Sequence, residues 1–176
     1  IEEGRIIYSN IRKFVFFLIS CNIGEILIIF LAMLAGLPSP LSPIQLLFLN
    51  LVSDGAPALA LGLEKGEPAI MNRPPRPVRE PIINREMLIG IAVQAVVMTI
   101  AVLGAFIIAG AHPMVDLKDP NLPRWETVAF ATLVLSELLR AFTARSERIS
   151  LFKIGVFSNK WMVYAVLFSF VLVLAA

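Results

Sequence analysis

Leu49-Asn-Leu-Val-Ser-Asp-Gly-Ala-Pro-Ala-Leu-Ala-Leu-Gly62 decides how this chain folds. It lies in a run, Ile44 to Leu63, that is about the length one helix needs to cross a bilayer core and is apolar apart from a few positions. Those positions are spaced to meet: Asn50, Ser53 and Asp54 stand i, i+3 and i+4, so a helix turns all three oxygens to one face. Pro57 brings no N–H and clashes with the carbonyl four residues back, that of Ser53, while Gly55 loosens the turn between them. A helix with an unwound centre and a freed carbonyl beside Asp54 is predicted, an arrangement that membrane proteins tolerate where backbone lines a cavity or holds an ion. A plain proline kink, repaired by neighbouring groups, is the simpler alternative.

Outward from this run the chain repeats its apolar character. Of the 176 residues, 58% are hydrophobic and 16% charged, with a mean hydropathy of +0.83. Soluble domains run at about 45–50% apolar and about 25% charged, so a soluble globular protein is excluded. A net charge of +2, with no basic run or interleaved aromatic stripe, argues against nucleic acid as a partner. One cysteine, Cys21, rules out an internal disulfide framework and a cysteine-cluster metal site, and reads as a small apolar residue on a buried helix. The fold class is all-α: a polytopic transmembrane helix bundle with four full spans, 14–37, 44–63, 87–110 and 125–143, and a truncated fifth, 161–176. Between them fall a stalk end (1–13), a short hairpin around Pro38, Pro40 and Pro43, a proline-rich loop (64–86) and two further loops (111–124 and 144–160). With no initiator Met and an apolar run at its end, the chain reads as a piece of a longer protein.

Positive charge orients the bundle, because Lys- and Arg-rich loops stay cytoplasmic. Arg5, Arg12 and Lys13 precede the first span; Lys65, Arg73, Arg76, Arg79 and Arg85 occupy the proline-rich loop; Arg140 lies in the last turn of the fourth span, and Arg145, Arg148, Lys153 and Lys160 follow it. Only Lys118 and Arg124 lie on the other side, which places the N-terminal end and the proline-rich loop in the cytoplasm. Trp125 and Trp161, at the starts of spans, suit interfacial belts.

Three acids interrupt the spans: Glu25, Asp54 and Glu137. Each costs about 2.5–3.5 kcal/mol at a helix centre, or about 8–10 kcal/mol together, and something must offset that cost. Asn22 and Glu25 are i, i+3, so the first span carries an oxygen-rich face like that of the second. Carboxylate, amide and hydroxyl oxygens without His or Cys are what hard cations prefer, and Ca²⁺ accepts six to eight of them. An interhelical hydrogen-bond network is the alternative use of Asn22, Asn50 and Ser53. Arg140, three residues after Glu137, is placed to pair with it and weaken its claim as a ligand. Gln94, Thr99, Thr127, Thr132 and Ser136 read as hydrogen bonders between packed helices, and His112 as a solvated loop residue.

At these residues the chain resembles the C-terminal membrane region, helices five to nine, of a type II (calcium-pump-like) P-type cation-transporting ATPase. Glu2 to Lys13 resembles the stalk entering the fifth helix of that family, and Ser20-Cys-Asn-Ile-Gly-Glu25 the ion-binding stretch within it. Leu49 to Gly62 matches the sixth-helix signature, with Ser53 where calcium pumps usually carry Thr, and Ile70-Met-Asn-Arg-Pro-Pro-Arg76 matches the loop before helix seven. Ser136-Glu137 falls at the eighth-helix carboxylate, and Arg140 departs from the small or amide residue expected nearby. Sodium–potassium pumps fit less well at Asn50, whereas secretory-pathway Ca²⁺/Mn²⁺ pumps share the sixth-helix motif.

The resemblance implies a metal site of Asn22, Glu25, Asn50, Ser53, Asp54 and Glu137, with Ca²⁺ as the transported ion. It also implies an integral multi-pass protein, in the cell membrane if bacterial. ATP and Mg²⁺ would be handled in cytoplasmic domains elsewhere in the polypeptide, since no phosphorylation motif, nucleotide-binding domain or fourth helix is present in this stretch. H⁺ counter-transport follows if the acids take up protons as the cation leaves, with Gly24 and Gly55 permitting two ligand arrangements. Two other readings stay open: a secondary carrier or channel using the same oxygens without ATP, and a non-transporting membrane module that keeps the fold.

Overall fold

The computed structural model describes residues 1–66, 70–72, 81–111, 122–146, 153 and 155–175. Among these the architecture is all-helical: α1 (Glu2–Leu34), α2 (Pro43–Phe48), a π-helical turn (Leu49–Ser53), α3 (Gly55–Gly62), a 3₁₀ turn (Ile70–Asn72), α4 (Arg85–Ile108), α5 (Leu122–Thr143) and α6 (Lys160–Ala175). Local chemistry sets the ends. Ser42 caps α2 in a reciprocal box: its Oγ accepts from the Gln45 amide at 3.3 Å, and its own amide donates to Gln45 Oε1 at 2.8 Å. Asn84 Oδ1 caps α4 by accepting from the Met87 amide at 2.8 Å. At the end of α1, Gly36 adopts a φ of 68°; its amide donates to Met33 O and that of Leu37 to Ala32 O, the two-bond closure that left-handed glycine permits.

α1, α2–α3 and α4 are long and apolar enough to cross a membrane, counting α2, the π turn and α3 as one span from Pro43 to Gly62. α6 is a shorter apolar helix. α5 has the length but differs from the expectation of a plain span, because Arg124, Glu126, Glu137 and Arg140 all lie on it. α1 packs along α4 on one side and α3 on the other, α5 closes against α4, and α6 lies on α3. Ile28, Met98, Val102, Phe106 and Leu133 form one buried cluster; Phe17, Cys21, Ala58, Leu61, Ala141 and Met162 form a second, joining α1, α3, α5 and α6. Ile26, Phe30, Leu59, Val97, Ile100 and Leu174 point outward, an apolar exterior suited to lipid.

Several expectations change at the level of single residues. Trp125 is 5% exposed and packed into the α4–α5 core against Gly110, so it is no belt residue; Trp161 is 61% exposed and stands edge-on to Tyr164. Thr99, Thr132 and Ser136 do not bridge helices. Each donates to the carbonyl four residues back in its own helix, Ala95, Val128 and Thr132, at 2.7–2.8 Å. The expectations for His112, for Lys118, for Arg73, Arg76 and Arg79, and for most of the two long loops fall outside the described residues.

A dense group of polar bonds crosses between elements at one end of the bundle. Arg145, 1% exposed, sends all five of its N–H donors into protein. Nε and Nη2 fork onto the Glu64 carboxylate, both at 2.9 Å; Nη1 reaches the carbonyls of Gly155 and Val156; Nη2 also reaches Ser158 Oγ. Asn159, before α6, donates to Glu64 Oε2 at 2.8 Å and to Ala60 O, and Asn10 of α1 donates to the Glu64 and Gly62 carbonyls. One buried ion pair thus ties the ends of α1, α3, α5 and α6 together.

Candidate cation site in the bundle

The distortion expected at Pro57 takes the form of the π turn. The Asp54 amide donates five residues back, to Leu49 O at 2.9 Å, and the Ala58 amide donates to Asp54 O at 2.9 Å. Between these bonds only the Gly55 and Ala56 amides face the four carbonyls from Asn50 to Ser53, because Pro57 has no donor. One of the four, Val52 O, accepts from Ser169 Oγ of α6 at 3.0 Å. The π turn therefore sets Asp54 beside carbonyls released from helical bonding.

Asp54 and Glu137, from α3 and α5, are both 0% exposed, and none of their four carboxylate oxygens has a hydrogen-bond partner among the described residues. With the Cys21 sulfur of α1 they form one group: a ligand atom from each of the three lies within 4.8 Å of the others. Glu25, one turn beyond Cys21 on α1, accepts from Asn50 Nδ2 at 3.0 Å on Oε2, while its Oε1 is buried and unbonded. Ser53 is buried with its Oγ unbonded.

Asn50 and Asn22 stand differently. Asn50 is exposed, bonding Glu25 and its own Leu46 carbonyl, and Asn22 turns its amide back to Leu18 O at 2.8 Å. The structure thus gathers Asp54, Glu137 and Cys21, bonds Glu25 to Asn50, and leaves Asn22 on its own helix. Cys21 was missed as a polar participant, although it and Glu25 are i, i+4 and share a face. Arg140 does not pair with Glu137 as expected: its guanidinium lies 4.4 Å over the Phe16 ring, and Nη1 donates to Thr143 Oγ1 at 3.0 Å.

A buried ion pair in low dielectric is costly enough; like charges that no cation pairs directly cost more. The physical requirement of this group is positive charge, supplied by a cation or by protons. Buried carboxylates that meet beside a π-distorted turn in a helical membrane bundle are the chemistry by which a membrane protein can hold a cation.

Residues 38–176 match the family model described as "Cation transporting ATPase, C-terminus", and the chain belongs to that family, as an integral multi-pass membrane protein. It is 44% identical over 175 residues, 99% of its length, to a "Calcium-transporting ATPase" of Bacillus subtilis (strain 168), of which it covers 19%. It is 38% identical over 176 residues to "Calcium-transporting ATPase 1" of Bacillus cereus, with 95% of this chain and 20% of the relative covered. Against "Calcium-transporting ATPase type 2C member 1" of Mus musculus it is 35% identical over 168 residues, covering 95% of this chain and 18% of that protein. The chain spans about a fifth of the length of the curated relatives it matches.

Proposed function

We propose that this chain is the ion-binding transmembrane part of an ATP-driven Ca²⁺ pump. Formation of an aspartyl phosphate in cytoplasmic domains of the full protein, with ATP and Mg²⁺, drives alternating access at the cluster around Asp54. The observation that carries this reading is the pair of wholly buried, unbonded carboxylates of Asp54 and Glu137, converging from two helices at a π turn. Glu25, Ser53 and released carbonyls near Asp54 complete an oxygen shell of the irregular kind Ca²⁺ accepts. Asn50 supplies its amide oxygen after giving up its bond to Glu25, and Asn22 joins by rotating away from Leu18 O.

In the cation's absence the same acids hold protons, since three like charges cannot stay ionised together in a dry site. Ca²⁺ then exchanges for H⁺, and Mn²⁺ competes for the same oxygens. The positive loops place the N-terminal end and the Glu64–Arg85 loop on the ATP-hydrolysing side. Ca²⁺ uptake into proteoliposomes, with a pH indicator on each side, tests the exchange: uptake that moves no protons the other way removes it. Sequence upstream of Ile1 decides between pump and ATP-independent carrier; a phosphorylatable Asp motif sustains the pump, and a gene without one contradicts it.

A further inference from the structure

We propose that this cluster also takes thiophilic divalent cations, with Zn²⁺ as the type, through a direct bond to the Cys21 sulfur beside Asp54 and Glu137. This rests on the reading of the cluster as the transported-cation site. Three observations carry it. Cys21 is wholly buried, and its sulfur lies within 4.8 Å of a carboxylate oxygen from each acid. Both acids are wholly buried with no N–H or O–H donor on any of their four oxygens, and the Cys21 thiol interacts with Asp54 as a side-chain donor, so the sulfur faces open ligand atoms. The three residues come from three helices, α1, α3 and α5, and surround a point in the way that a single face of one helix cannot.

The dimensions suit a small tetrahedral ion. With Zn–S at about 2.3 Å and Zn–O at about 2.0–2.2 Å, ligand atoms on a tetrahedral centre sit about 3.5 Å apart. From a spacing of at most 4.8 Å the ligand atoms have to draw together by roughly an ångström. A thiolate adds little for Ca²⁺, which is satisfied by oxygens alone, but it is a preferred ligand of Zn²⁺. Two carboxylates beside the sulfur make the site too hard for a purely thiophilic monovalent ion, which selects a borderline divalent one. The free Oε1 of Glu25 or a water fills the fourth position. Binding forms one Zn–S bond and releases the thiol proton to water, with no change of oxidation state. Cys21 is thereby a selectivity residue: it admits Zn²⁺ as a competitor of Ca²⁺ without serving Ca²⁺ itself.

The test uses the purified full-length pump loaded with one equivalent of Zn²⁺ and examined by X-ray absorption at the zinc edge. The parent protein should show one sulfur neighbour at about 2.3 Å that Cys21→Ser lacks. In competition against radiolabelled Ca²⁺, Cys21→Ser should weaken Zn²⁺ at least about tenfold more than it weakens Ca²⁺. Cys21→Ala, which keeps an apolar surface for packing, should behave like the serine variant. A parent spectrum without sulfur, a sulfur neighbour that persists in Cys21→Ser, or equal loss of Zn²⁺ and Ca²⁺ binding would each overturn the proposal. Failure of the underlying site reading shows separately, as unchanged Ca²⁺ binding in Asp54→Asn.

Discussion

Glu137→Gln should cost the pump nearly as much Ca²⁺ affinity as loss of the Asp54 charge. From spacing alone Arg140 is a counter-ion that would make Glu137 matter less than Asp54, but Arg140 lies on the Phe16 ring and bonds Thr143, leaving both Glu137 oxygens unbonded. The variant keeps the shape and one carbonyl oxygen, so Ca²⁺-activated phosphoenzyme should form only at Ca²⁺ levels raised by about a hundredfold or more, at about 1.4 kcal/mol per decade. A shift under about threefold would return Glu137 to a packing role. Glu25, Asp54 and Glu137 are legible in the sequence because a carboxylate in an apolar run has few other uses. Cys21 is not, since a thiol passes for a small hydrophobe until the acids of two other helices are seen beside it. The turn of Asn22 onto Leu18 is equally hidden: spacing fixes which face a residue occupies and not which rotamer it takes.

At the level of the elements, two features hold the site in place. The first is the π turn, whose released Val52 carbonyl is taken up by Ser169 of α6. Ser169→Ala leaves that buried acceptor unbonded, a cost of about 1–3 kcal/mol, and should lower the thermal midpoint of the purified protein and weaken Ca²⁺ binding together. An unchanged midpoint and unchanged binding would mean that the π turn stands without α6. The second is the Glu64–Arg145 fork. Removing either partner strands a buried charge, so Arg145→Met and Glu64→Gln should each destabilise by about 3–5 kcal/mol, whereas the double variant should recover much of that loss. Strict additivity in denaturant unfolding would contradict the coupling. The interruption at Pro57 was legible because a missing N–H is a fact of the residue. Its π form was not, because a missing N–H marks where a helix is interrupted and not which register the interruption takes. The fork was hidden for a similar reason: in sequence Glu64 and Arg145 are two loop charges among many, and only the end-to-end packing of α3, α5 and α6 joins them.

Across the full chain, the apolar exterior, the alternation of spans with loops and the asymmetry of Lys and Arg make one topology. Asn72 lies in the 3₁₀ turn held near α1, and the orientation proposed from the positive loops puts it on the cytoplasmic side. A cysteine placed there in an otherwise cysteine-free full-length protein should react with an impermeant maleimide only after the membrane is opened, and labelling of intact cells would reverse the orientation. The helical class and the order of spans were readable from periodic apolar runs of the right length. α5 was the harder element, since its four charges interrupt a span that is held by the packing of Ala129, Leu133, Leu138 and Ala141 against its neighbours.

Asp54 joins these levels, combining a carboxylate, complete burial, a π-distorted turn and two facing helices that supply Glu137 and Glu25. The decisive measurement is Ca²⁺-activated phosphoenzyme formation by the full-length protein carrying Asp54→Asn, purified in yield comparable to the parent. Removing an intramembrane charge lowers the insertion cost, so folding should survive. Ca²⁺ affinity should fall by on the order of a thousandfold, several kcal/mol at about 1.4 kcal/mol per decade. Near-parental Ca²⁺ affinity in that variant would contradict both the ligand role of Asp54 and the reading of this bundle as the Ca²⁺-binding part of a pump.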